Sequence, residues 1–286
     1  MDTLYIVGSG GPVATPEAFG TSLVLKSGNE YLMFDCGPAA TDKMVKLGLF
    51  PSNINHLFFT HHHSDHDLDY PAFLLTRWFD DSGNLPELQV FGPKPTELLT
   101  HRLIDLDEGA FAHDFHVRMN HPMSLLVYKM GGGTLPRKGP VVKAKDIGPG
   151  KVTEGDDWEV LAAPAKHVEP WLDSLAYRFN GPKGSIVFTG DTAPCETVKV
   201  LADGVDVLVV NCVGLEDDIA AWGGNEYMIG AKATGKLAND VGAKKLILTH
   251  NTYLMKHGPM EQGIVEITSE FKGAVINGRE MMEVTL

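Results

Sequence analysis

Short apolar runs broken by Gly, Pro, Asn and Asp recur along the chain, separated by stretches whose apolar positions have helical spacing. The pattern predicts strands over Leu4–Val7, Thr21–Lys26 and Tyr31–Asp35, the last two joined by a turn at Ser27-Gly28-Asn29-Glu30. Further strands are expected at Leu57–Thr60 and Leu88–Phe91, with helices over Ala39–Leu47, Leu68–Phe79 and Pro95–Leu106. The second half repeats this style. Strands are predicted at Trp158–Ala163, Ser174–Phe179, Ser185–Thr189, Val205–Asn211 and Lys245–Thr249, and helices at Pro194–Ala202, Glu226–Val241 and Met260–Phe271; Val275–Val284 closes the chain. The stretch from 107 to 150, with Gly131-Gly132-Gly133 and several prolines, lacks a sustained period and is expected to be an irregular insert that shapes the substrate pocket. Strands lead in each half and helices cover them. This order suggests an α/β sandwich of two mixed sheets face to face with helices outside. No low-complexity linker divides the halves, so a single domain over residues 1–286 is expected, without short repeats.

Composition narrows the class. A chain that is 43% hydrophobic and 21% charged is globular rather than disordered or fibrous, and no apolar stretch is long enough for a membrane span. The start lacks the basic and apolar regions of a signal peptide, so a cytoplasmic location is expected. Cys36, Cys195 and Cys212 are odd in number and sit in apolar contexts, which suggests free buried thiols. The net charge of −13 works against nucleic acid as a partner, although bound metal ions would form a positive island in that field.

The chemistry concentrates in Thr60-His61-His62-His63-Ser64-Asp65-His66, directly after the apolar run that ends at Phe59. His and Asp are costly to bury unless paired, so this density points to metal ligation. In an extended chain His61 and His63 point to one side and can hold one ion, while Asp65 and His66 fall where the chain turns and can hold a second. His62 points the other way and is expected to pack beside the ligands. Three more ligand-type residues each follow a predicted buried strand: His167, Asp191 and His250. Nitrogen and carboxylate donors without thiolate suit zinc, and also manganese or iron.

With these residues in order, the chain resembles the metallo-β-lactamase superfamily. Asp35, the His-x-His-x-Asp-His run, His167, Asp191 and His250 match its five motifs. The resemblance implies an αββα sandwich with two divalent ions at the sheet edge. It places one ion on His61, His63 and His167 and the other on Asp65, His66 and His250. Asp191 would bridge the two, with Asp65 and Asp191 the catalytic carboxylates and Asp35 a supporting one. Val7-Gly8-Ser9-Gly10-Gly11-Pro12 and Ser174-Leu175-Ala176-Tyr177 resemble the ribonuclease Z-like group. Asp69-Tyr70 after the histidine run, His167-Val168-Glu169-Pro170 leading into Asp173–Arg178, and the Phe188–Glu196 phrase resemble its bacterial arylsulfatase branch.

Two departures lower the tRNA reading. Asn211-Cys212-Val213-Gly214 replaces the His-Glu-Ala-Thr loop of ribonuclease Z, and Gly223-Gly224-Asn225-Glu226 stands where relatives carry a histidine; no long basic arm is evident either. The expected function is therefore a dinuclear hydrolase of a small activated ester, arylsulfatase-like, whose nucleophile is a water shared by the metals with its pKa lowered toward about 7. The alternatives are a phosphodiesterase or ribonuclease Z-like nuclease, a lactone or carboxyl-ester hydrolase, and a non-enzymatic metal-stabilised binding protein. The flavodiiron class is disfavoured by His63, where it carries Glu. The expected partner is a small-molecule ester, with no membrane and with a second copy of the chain as a candidate.

Other residues have plainer readings. Asp69 is either an acceptor that orients a ligand histidine or a charge at its own helix N-terminus. His113, His116 and His121 fall on the surface or a pocket wall. Pro12 and Val13 interrupt the early glycines, so they do not form a nucleotide loop. Cys195 and Cys212 lack a visible activating partner.

Overall fold

The computed structural model describes residues 2–250 and 260–286. Two seven-stranded sheets face each other. The first contains β1 (Thr3–Gly8), β2 (Ser22–Ser27), β3 (Glu30–Phe34), β4 (His56–Phe58), β5 (Leu88–Gly92) and β6 (Val142–Asp146). The second contains β7 (Gly150–Glu154), β8 (Glu159–Pro164), β9 (Leu175–Gly181), β10 (Gly184–Phe188), β11 (Val207–Asn211), β12 (Lys245–Thr249) and β13 (Ala274–Asn277). The last strand, β14 (Met282–Thr285), returns to the first sheet and pairs antiparallel with β1. Val275–Val284, expected as one closing element, is thus two strands in different sheets.

The period of two explains how both faces of each sheet are covered. Leu4, Ile6, Leu23, Leu25, Leu32, Phe34 and Phe58 point into the core between the sheets, where they meet Tyr177, Phe179, Ile186, Phe188, Val209 and Ile247. The alternate residues Val24, Met33 and Leu57 point outward against α1 (Ala40–Lys46) and α3 (Tyr70–Asp80). On the second sheet Val187, Leu208, Val210, Leu246 and Leu248 pack against α9 (Ala231–Asp240) and α10 (Met260–Glu270). Phe34 stacks on Phe188 across the sheets with ring centroids 3.9 Å apart. Truncating such a buried ring to Ala costs about 3–5 kcal/mol.

Strand direction builds one functional edge. β3 to β6 run parallel, as do β10 to β13. β8 is antiparallel to β9, which is antiparallel to β10, so β8 and β10 end on the same side. At that side the sheets are tied together: the Tyr177 hydroxyl donates to the Phe59 carbonyl at 2.7 Å, and the Leu175 N–H to the Thr60 carbonyl at 2.8 Å.

The 107–150 stretch is more regular than its composition suggests. It holds α5 (Ala112–Asn120), α6 (Pro122–Met130) and all of β6. β6 pairs with β5, while α5 and the residues after α6 pack on the C-terminal end of α3. Phe115 meets Trp78 edge-on at 4.9 Å, and the Arg137 guanidinium lies 3.9 Å over the Trp78 ring. Trp78 stands eight residues beyond Tyr70, about 12 Å along the helix at 1.5 Å per residue. A cavity of about 500 Å³ opens there, lined by Phe79, Arg118, Val127, Tyr128 and Arg137. The predicted Glu226–Val241 helix also starts later. Gly230 is extended at its N-cap, and the Glu216 carboxylate of α8 (Glu216–Ala221) accepts the Ala233 N–H at 2.9 Å.

Candidate metal centre

Every ligand-type residue follows a strand that ends at the shared edge. His61 and His63 come after β4, and Asp65 and His66 ride on the single-turn helix α2 (Ser64–Asp67). His167 follows β8, Asp191 follows β10 and His250 follows β12. All seven converge on one cluster. His61 and His66 are fully buried, His250, His167, Asp65 and Asp191 nearly so, and His63 is half-buried.

Within the cluster three groups form, each with its donor atoms within 4.8 Å of one another: His61, His63 and His167; Asp65, His66 and His250; and His61, His66 and Asp191. His61 Nε2 lies 3.0 Å from His63 Nδ1, and His167 Nε2 lies 3.3 Å from that same atom. On the other side His250 Nε2 is 3.1 Å and His66 Nε2 3.5 Å from Asp65 Oδ2. Asp191 faces both sides. Its Oδ1 is 3.6 Å from His66 Nε2, and its Oδ2 is 3.4 Å from His250 Nε2 and 3.8 Å from His167 Nε2.

Neighbouring groups fix how His66, His167 and Asp191 face the cluster. Asp35, held at φ 59° after β3, accepts from His66 Nδ1 at 2.7 Å. It also accepts the Thr60 N–H at 2.7 Å and the Thr60 hydroxyl at 2.8 Å. His167 Nδ1 donates to the Tyr227 carbonyl at 2.9 Å, which turns Nε2 inward. The Asn211 amide donates to Asp191 Oδ1 at 2.7 Å. Glycines make the close approaches possible: a Cβ on Gly20 or Gly37 would stand 2.2 Å from the Asp65 carbonyl oxygen, and one on Gly11 would stand 2.8 Å from His250 Cε1.

These residues fit divalent cations on three counts. Two nitrogens each about 2.05 Å from a tetrahedral ion stand about 3.3 Å apart, which matches the spacing of His61, His63 and His167. His66 Nε2 is buried without a hydrogen-bond partner yet faces two carboxylates. Three buried carboxylates, Asp35, Asp65 and Asp191, demand positive charge nearby. In the protein alone that demand falls on the histidines: burial would lower His66, but Asp35, Asp191 and Asp65 push it up to about 10. His61 and His63 are held low, chiefly by burial and by their histidine neighbours, and a neutral imidazole is the form that ligates. Burial would raise Asp191, yet His250, His66 and His61 hold it far below the usual carboxylate range.

Residues outside the cluster have other duties. His62 is tied by Nδ1 to Asp67 at 3.1 Å and by Nε2 to Thr96 at 2.8 Å. Asp69 stands at the N-cap of α3, as one of its two expected roles has it, and its Oδ2 also accepts the Thr41 N–H at 2.6 Å and so covers the first turn of α1, a different helix. His113 and His116 lie exposed on α5, with His121 exposed at its end, all on the insert. Cys36 and Cys212 are buried, whereas Cys195 is partly exposed. The contacts from Asn211 and the Tyr227 carbonyl are the ones sequence reasoning missed. Asn211 closes a buried parallel strand beside the strand leading to Asp191, a placement that its sequence context did signal.

Comparison with known proteins identifies the fold family. The model of the beta-lactamase superfamily domain matches residues 30–251. The chain is 25% identical over 295 residues to a protein of Mycobacterium bovis named ribonuclease Z, covering 99% of this chain and 98% of the relative. Two solved structures share the fold at 17% identity. The metallo-beta-lactamase fold protein YhfI from Bacillus subtilis superposes with a TM-score of 0.72 over 99% of this chain and 98% of its own. The short form of human tRNase Z does so with a TM-score of 0.69, over 100% of this chain and 99% of its own. The chain belongs to the metallo-β-lactamase superfamily, and its similarity to proteins named ribonuclease Z is distant.

Proposed function

We propose that this protein is a dinuclear-metal phosphodiesterase. The observation that carries the reading is Asp191, whose two oxygens face different halves of one buried ligand cluster. His61, His63 and His167 would hold one ion, Asp65, His66 and His250 the other, and Asp191 both. The all-nitrogen-and-oxygen donor set favours zinc. Metal ions held there supply an activated water and polarise the oxygens of the ester. The chain's own residues fix the geometry: Asp35 and Thr60 orient His66, the Tyr227 carbonyl orients His167, and Asn211 restrains Asp191.

A phosphodiester is preferred as substrate because the Mycobacterium bovis relative, aligned along nearly the whole chain, is named ribonuclease Z. A small diester is preferred to a long polyanion because the chain carries a net −13. The arylsulfatase-like reading ranks second; its support is the sequence phrases around Asp69-Tyr70 and Glu169-Pro170. His62, the one histidine of the run outside the cluster, is already bonded at both nitrogens and does not serve as a general acid. The test is turnover by zinc-loaded protein of bis(p-nitrophenyl) phosphate, a cyclic nucleotide, precursor tRNA, p-nitrophenyl sulfate and a p-nitrophenyl carboxylate. The reading expects kcat/KM to be highest for a small phosphodiester and lost in Asp191→Ala. Faster turnover of the sulfate or the carboxylate rejects it.

A further inference from the structure

Trp171 is 89% exposed, more than any other large apolar side chain among the described residues. Its ring has no stacking partner and its indole N–H no acceptor there. The backbone beneath it is nevertheless well fixed. Val168 and Leu172 bridge each other, the Trp171 N–H donates to the Val168 carbonyl at 3.1 Å, and the Glu169 carboxylate accepts the His167 N–H at 3.0 Å. This bridged turn begins directly after His167 and carries Trp171 four residues on.

Tyr227 also touches His167. Its carbonyl takes the His167 Nδ1 proton at 2.9 Å, while the residue as a whole remains 50% exposed. The neighbouring Lys166 and Glu226 pair at 2.8 Å and tie the two flanking loops together. Trp222 differs, because its ring covers Gly224 so closely that a Cβ there would stand 2.2 Å away. Two exposed aromatic residues thus belong to the two loops that meet at one ligand of the cluster. Aromatic faces stack on any flat ring without needing charge, which suits a protein whose net charge is strongly negative.

We propose that Trp171 and Tyr227 form a stacking platform beside His167 for a flat aromatic group attached to a phosphoryl centre, either a nucleobase or a simple aryl ring. The proposal rests on the phosphodiesterase reading for the phosphoryl centre alone. The test is calorimetric titration of the zinc-loaded protein with AMP, phenyl phosphate and methyl phosphate. The wild type is expected to bind AMP and phenyl phosphate roughly ten-fold or more tightly than methyl phosphate, the worth of one stacked ring. Trp171→Ala should bring those ratios close to unity, and Tyr227→Ala should lower them while Tyr227→Phe keeps them. Zinc content and melting temperature of each variant report whether the site itself is intact. A preference for AMP over phenyl phosphate assigns the ring to a nucleobase, and equal binding assigns it to any aryl group. Equal binding of all three ligands by the wild type, no binding of any, or ratios unchanged in Trp171→Ala overturns the platform. The phosphodiesterase reading fails separately, on turnover, whatever these ratios are.

Discussion

Asp35 accepts from His66 Nδ1 at 2.7 Å, and this contact selects the nitrogen that His66 turns toward the cluster. With Nδ1 committed to the carboxylate, Nε2 is left without a hydrogen-bond partner, facing Asp65 and Asp191. In Asp35→Asn the amide oxygen can still accept the Thr60 N–H, but the amide N–H₂ would meet Nδ1 and drive the imidazole proton to Nε2. The fold should survive while metal affinity falls by about 10–100-fold. Competition against a chelator measures this directly, and wild-type affinity in the variant would contradict the role given to Asp35.

Asn211 acts on Asp191 through one hydrogen bond of 2.7 Å. In Asn211→Ala the carboxylate loses a buried donor and is free to rotate. Turnover should drop roughly ten-fold or more, with zinc content reduced less than in Asp191→Ala. Asn211→Asp should be worse, because it sets a second buried negative charge against the first. Equal activity of the two variants would argue that Asn211 serves the strand and not the site.

Gly11 touches the opposite end of the cluster. A methyl group there would lie 2.8 Å from His250 Cε1 and 3.2 Å from Nδ1, so Gly11→Ala must push the ring. Since ligand placement tolerates only about 0.5 Å, the ion held by Asp65, His66 and His250 should be lost first. Zinc retained after dialysis should therefore fall toward a single ion per chain. Full retention would mean that the Gly8–Gly11 stretch gives way instead.

The thiols should separate by reactivity. Burial pushes the Cys212 thiol up to about 11 and raises Cys36 well above its usual value, with Asp69 adding to the effect. Both then remain protonated at pH 8, and the thiolate is the reactive form. Iodoacetamide at pH 8 should modify the partly exposed Cys195 first in native protein and reach the other two on unfolding. Rapid native labelling of Cys212 would show that β11 opens at its end.

Much of the site was legible because metal ligands are chemically conspicuous and sit at strand ends that apolar runs announce. The sandwich was legible through alternation such as Leu23-Val24-Leu25, which sends neighbours to opposite faces. What was hidden depends on partners far away in the chain. Period-two patterning marks 275–284 as extended but carries nothing about which sheet each half joins, and β13 and β14 separate. The α5–α6 pair escaped because α6 buries none of its residues and so shows no one-sided apolar stripe. Asp69 precedes its own helix, which invites a local reading, while its carboxylate reaches Thr41. Asn211 was visible as a departure from a family loop, and its bond to Asp191 is a contact between strand ends twenty residues apart.

The central claim is that one buried cluster, spanned by Asp191, holds two metal ions. Native mass spectrometry of the zinc-loaded protein tests it most directly, with Asp191→Ala measured alongside. Two zinc ions per wild-type chain, and fewer in the variant, is the predicted result. A single ion or none in the wild type, or two ions kept by Asp191→Ala, would contradict it.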